Sequence, residues 1–109
     1  MIVAIDDIDG EALDWVVASI LGKLPDSFDD WTQRWPAYSR NYNVAENILN
    51  TEIDQISRFD TYPQWRASRF ACDDWTACEA DGDTILIAVM RCFAKSKLGQ
   101  TAKIPQELT

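Results

Sequence analysis

The stretch WTQRWPAYSRNY, residues 31–42, sets four aromatic rings and two arginines within twelve residues. Flat rings that stack on bases, beside guanidinium groups that hold phosphates, are the working parts of a single-stranded nucleic-acid platform. Arginine beside large rings is also the usual makeup of a protein–protein hot spot. The same rings bury apolar area efficiently in a small core. Trp31, Arg34, Trp35, Tyr38, Arg40 and Tyr42 are therefore candidate partner-binding residues, with core packing as the competing reading.

A second constellation is acidic. Residues 1–30 hold eight carboxylates against one lysine, whereas residues 31–70 hold five arginines against four carboxylates. Asp6, Asp7, Asp9, Asp14, Asp26, Asp29 and Asp30 define a candidate acidic face for a partner. The formal net charge of −8 makes duplex nucleic acid a poor ligand for the whole surface and a basic protein groove a suitable one. Asp6-Asp7-x-Asp9 or Asp29-Asp30 are also the residue types that hold a divalent cation. A calcium loop turning at Gly10, however, would place its first and last ligands at Ile5 and Val16, and one turning at Gly82 would begin at Ala77. None of these side chains is a ligand, so the acids are read as a solvated face, with no metal or cofactor expected.

Composition removes most catalytic chemistry. The chain has no histidine, hence no Ser-His-Asp triad, Cys-His pair or His-Glu-x-x-His site. Cys72, Cys78 and Cys92 are an odd set without a C-x-x-C pair, as expected of reduced thiols in a cytosolic setting. Asp73 and Asp74 beside Cys72, and near Cys78, disfavour a thiolate, and Cys92 lies on an apolar stretch that reads as core. Four glycines form no phosphate loop. The expectation is a protein that binds and is not an enzyme.

The elements that must position these residues are mostly helical. At 109 residues the chain suits one domain, 1–109, with a single core. Leu13, Val16, Val17, Ile20, Leu21 and Leu24 recur with helical spacing, so a helix is expected over 10–24, capped by Asp9 and stopped by Pro25. Trp15 falls on the far side of that stripe, and Glu11 and Asp14 lie off it. Residues 26–30 read as a loop. Trp31 to Trp35 is expected to make one turn before Pro36, leaving an irregular aromatic strip. A second helix starts at Asn43, with Glu46 as its capping-box partner and Ala45, Ile48 and Leu49 inward; from Glu52 either it runs on to about residue 57, ahead of a short strand, which is the favoured reading, or the chain becomes extended. Residues 61–69 read as irregular, 75–79 as a short strand, and Asp81-Gly82 as a turn. The helix over 84–98 is apolar enough to sit at the centre, with Lys95 and Lys97 near its end and Gly99 closing it. The tail is expected to be extended and pinned by Ile104 and Leu108. The fold class is thus α+β, helix-dominated, with one or two short strands. The first apolar run meets Asp6 and Asp7 instead of following a basic start, so no signal peptide is expected, and the longest apolar run, 85–90, is too short to span a membrane.

The order of these pieces resembles the NinX-like family of small phage-encoded proteins. The likeness rests on ALDWVVA, YSRNY, the helix ending near NTEI, a Trp-Thr-Ala after a loop, and TILIAVMRCFAKSKLG followed by IPQEL. It is most specific over residues 83–108. The chain departs where relatives usually carry Gly-Gly-Pro and this one has Ala45-Glu46-Asn47. The resemblance implies a phage or prophage accessory protein in the cytoplasm of a bacterial host, and transfers no catalytic residue. The leading expectation is an acidic protein that occupies a basic groove of a host nucleic-acid-handling or defence complex. The alternatives are single-stranded nucleic-acid binding through the Arg/Trp strip and a structural or regulatory phage protein with no role against the host.

Overall fold

The computed structural model describes residues 1–25, 27–53, 55–58, 65–69 and 78–108. In chain order they form strand β1 (Ile2–Ala4), a 3-10 turn (Ile5–Asp7), helices α1 (Gly10–Ile20), α2 (Phe28–Arg34) and α3 (Tyr42–Glu52), strands β2 (Gln55–Arg58), β3 (Trp65–Arg69) and β4 (Cys78–Gly82), helix α4 (Ile85–Leu98), strand β5 (Thr101–Lys103) and a final 3-10 turn (Gln106–Leu108). This is the expected helix-dominated α+β class. Five strands replace the expected one or two. β2, β3 and β4 make an antiparallel meander in which Ala67 stands opposite both Ile56 and Ala80. β1 and β5 close the chain ends into a separate antiparallel ribbon, with Val3 opposite Ala102.

Helix α4 is central, as its composition requires. Leu86, Ala88, Val89, Met90, Cys92, Phe93 and Ala94 are buried along its length, and it packs on β3 and β4 as well as on α1 and α3. Thr84 caps it by accepting the Ile87 N–H at 3.2 Å. Lys95 and Lys97 occupy its last turn, where they complement the negative end of the dipole. Gly99 closes it at φ +84°, donating its N–H to the Lys95 carbonyl.

Helix α1 ends at Ile20, four residues before the expected limit, because the chain reverses at Gly22 and not at Pro25. Gly22 takes φ +70°, its N–H reaches the Ser19 carbonyl, and the Lys23 N–H reaches the Ala18 carbonyl. These two bonds are a Schellman motif, which satisfies the last carbonyls of the helix without a further turn. Asp9 occupies the N-cap position with an extended backbone, but its side chain makes no cap bond.

Three other boundaries differ from the sequence reading for identifiable reasons. Residues expected as a loop before Trp31 begin α2, because Ser27 accepts the Asp30 N–H and caps it. The capping of α3 falls to Asn41, whose side chain accepts the Asn43 N–H, so the helix starts at Tyr42 and ends at Glu52 without the Asn43–Glu46 box. Residues 65–69 are not irregular but form β3. Of the strand expected over 75–79, residues 75–77 lie outside the described residues, as does Cys72.

Asp81-Gly82 ends β4 instead of turning the chain. A Cβ at Gly82 would lie 2.5 Å from the Ala88 backbone nitrogen and 2.7 Å from Ile87 Cγ2. The glycine is there for close approach of strand to helix, the second use of a missing side chain. We expect Gly82→Ala to lower stability by about 1–3 kcal/mol through overpacking, read as a fall in the urea midpoint. An unchanged midpoint would mean that α4 does not approach β4 so closely.

Candidate functional site

The aromatic stretch is chiefly a clasp between α1 and the segment that follows α2. Glu11 and Asp14 stand three residues apart on α1; Trp31 and Trp35 stand four apart, one on α2 and one at its end. The Trp31 indole N–H donates to Glu11 Oε1 at 3.1 Å, and the Trp35 indole N–H donates to Asp14 Oδ2 at 2.7 Å. Asp14 Oδ1 accepts the Ser39 backbone N–H at 2.8 Å. Trp15 packs edge-on against Trp31 with ring centroids 5.0 Å apart, and against Phe28 at 6.0 Å. α2 is thereby seated on α1 by rings and held in register by their polar edges.

Asp14 therefore does not belong to an acidic face. It is 0% exposed. Burial pushes its carboxyl above the usual value of 3.8, opposed by hydrogen bonds from Ser39 and Trp35 and by the Arg40 charge. Trp31 and Tyr38 leave the candidate partner surface for the same reason: both are core residues. Burial, and then the Asp14 charge, push the Tyr38 hydroxyl upward. Trp35 is half-buried, with the Arg40 guanidinium 4.5 Å above its ring. Arg40 and Tyr42 are exposed, Tyr42 by 55%. Arg34 ends α2. The strip that reads as one surface in sequence is thus divided, with Trp31 and Tyr38 buried, Trp35 half-buried, and Arg40 and Tyr42 exposed around the start of α3.

The other described acids of that set are exposed. Asp6, Asp7 and Asp9 are exposed at the approach to α1, and Asp29 and Asp30 are exposed in the first turn of α2, where they complement its dipole. Asp26 lies outside the described residues. Asp6 is ion-paired to Lys95 at 3.1 Å. Among the described residues Asp7, Asp9, Asp29 and Asp30 have no cation within ion-pair distance. The burial of Asp14 has one signal in sequence: two acceptors at i, i+3 on α1 and, about twenty residues on, two indoles at i, i+4.

A polar cleft is lined by Asp6, Arg66, Glu79, Ala80, Asp81, Arg91 and Lys95, with a volume of about 450 Å³. Sequence reasoning named only Asp6 among these as a site residue, because the others come from β3, β4 and α4, whose pairing no local pattern announces. An apolar groove of about 360 Å³ lies between the β1–β5 ribbon, α1 and the end of α4. Among the described residues no three carboxylate or thiol side chains converge closely enough to hold a metal ion, and no helix is long and apolar enough to cross a membrane. No protein-family model matches the chain, and no curated protein matches it.

Asp14 supplies a pH-dependent test of the clasp. Its carboxyl binds a proton more tightly folded than unfolded, so its contribution to stability is greatest below 3.8 and declines as pH rises through the raised folded-state value. Asp14→Asn removes that titration and turns an amide donor toward either the indole or the Ser39 N–H. We expect the variant to be less stable by about 1–3 kcal/mol in acid, with the gap narrowing as pH rises through that window. Urea denaturation at several pH values checks this; a gap that is constant or widens would contradict it.

Proposed function

We propose that the protein acts by binding, presenting its exposed aspartates to a basic groove of a host nucleic-acid-handling or defence protein. The observation that carries this reading is the set Asp7, Asp9, Asp29 and Asp30, exposed and free of ion pairs among the described residues. Several cations already have partners within the chain: Arg66 pairs with Asp81 and Glu79, Lys95 with Asp6, and Lys97 with Glu52. Carboxylates spaced over two helix starts offer a basic groove a charge pattern of the kind that steers association. The resemblance to small phage proteins agrees with an accessory role in a bacterial cell. Burial of Trp31 and Tyr38 withdraws two of the strip's four rings from any stack of bases, so the protein-binding reading is preferred.

The test is capture of partners from bacterial lysate on the immobilised protein, followed by kinetics with the protein captured. Duplex DNA should compete for the same partner, and affinity should fall as salt rises. Asp26, Asp29 and Asp30 changed together to Asn should slow association with little change in dissociation, while the melting temperature stays nearly constant. Undiminished binding by that variant and by the matching Asp6, Asp7, Asp9 variant would overturn the proposal.

A further inference from the structure

The polar cleft is lined by none of Asp7, Asp9, Asp29 and Asp30; Asp6 alone belongs both to it and to the acidic set. Its walls come from four elements: Asp6 from the first 3-10 turn, Arg66 from β3, Glu79 and Asp81 from β4, and Arg91 with Lys95 one turn further along α4. The cations sit deeper than the acids. Lys95 is 14% exposed against 53% for its partner Asp6, and Glu79 at 48% is the more open member of its pair with Arg66.

Arg91 is the distinctive residue. Its Nε donates to the Ile8 carbonyl at 2.9 Å and its Nη1 to the Asp81 carbonyl at 2.8 Å. Two main-chain oxygens therefore fix the guanidinium plane, and among the described residues no carboxylate pairs with it. The outer donors of the fork remain, in a geometry that matches a carboxylate bidentately. Glu79 is the complementary group. Arg66 directs its close bonds to Asp81, at 2.8 and 3.3 Å, and reaches Glu79 only at 3.6 Å. The Glu79 carboxylate is thus loosely held and open to a ligand cation.

We propose that this cleft binds a small zwitterion of the α-amino acid class, its carboxylate on Arg91 with Lys95 in support and its ammonium on Glu79. A simple anion fits less well, because three carboxylates also line the walls. A simple cation meets the same objection from the three bases. A ligand carrying both charges satisfies both, and a volume of about 450 Å³ lies within the ~300–1,000 Å³ range of small-molecule sites. Asp6 competes with the ligand carboxylate for Lys95, so its exposed position makes it the group that yields.

The experiment is a two-dimensional amide NMR titration of the full chain at low salt with each proteinogenic amino acid, with acetate and ethylammonium as half-ligands. Melting curves accompany it, since a ligand that binds only the folded state raises the melting temperature. At least one amino acid should give saturable shifts centred on Asp6, Glu79–Asp81 and Arg91–Lys95, and each half-ligand should bind at least about tenfold more weakly. Glu79→Gln, at an exposed position, should weaken binding about tenfold without lowering the melting temperature of the free protein. Arg91→Lys keeps the charge but loses the fork and should weaken it similarly. Asp6→Asn should tighten it by freeing Lys95. The proposal falls if no amino acid gives saturable shifts, if acetate binds as well as the amino acid, or if binding survives both Glu79→Gln and Arg91→Lys unchanged.

Discussion

The rest of the structure depends on a carboxylate taken out of water. Burying Asp14 with nothing to meet it would cost several kcal/mol, so the side chain is tolerable only where donors converge on it. They do: the Trp35 indole meets one oxygen and the Ser39 amide the other. Each donor sits on a part of the chain with little regular structure of its own, since α2 ends at Arg34 and α3 begins at Tyr42. The buried acid thereby converts an irregular connection into a fixed one. It carries Tyr38 into the core and holds Arg40 over Trp35 on the outside. Glu11 performs the same service for Trp31 near the start of α1. Two acids on one helix thus locate the helix that packs across it.

A different constraint governs the other half. α4 needs a surface that it can approach closely, and β4 offers one through Ala80 and Gly82. Arg91 then joins that sheet to the entry of α1, donating to carbonyls of Asp81 and Ile8. The helix therefore has an apolar face that fills the core and a row of cations, Arg91 and Lys95, at one margin. The core forces α4 into the centre, and its centrality brings its charged margin against β3, β4 and the first turn. The cleft is a consequence of that packing.

The parts legible in sequence are those with local causes. The apolar run of α4, its closing lysines and its Gly99 terminus are all short-range signals, and each appears where the residue types place it. The Leu13–Val16–Val17 stripe likewise lies in the core. What could not be read locally depends on partners distant in the chain. Asp14 looks like any polar residue on the outer side of a helix until the donors twenty-odd residues on are known to converge there. The Asp81-Gly82 pair has the composition of a turn, and only the proximity of Ala88 shows why the glycine is needed. Short strands such as β1 and β5 are defined by each other, across nearly the whole chain, and three residues carry too little alternation to announce themselves. The cleft residues were missed for the same reason.

Tertiary placement also changes the meaning of the charge count. A formal net charge of −8 says that acids outnumber bases, but not where either kind sits. Arg66, Arg91 and Lys95 are drawn against carboxylates and carbonyls between elements, while Asp7, Asp9, Asp29 and Asp30 remain in water. Long cationic side chains suit that division because their aliphatic stems cross apolar surface while their heads reach polar groups. An aspartate has no such reach, so it is either sequestered with donors, as at Asp14, or left at the surface. The sorting follows from side-chain length and solvation. It leaves aspartates such as Asp7 and Asp29 in water, and makes a cleft in which opposite charges meet at close range.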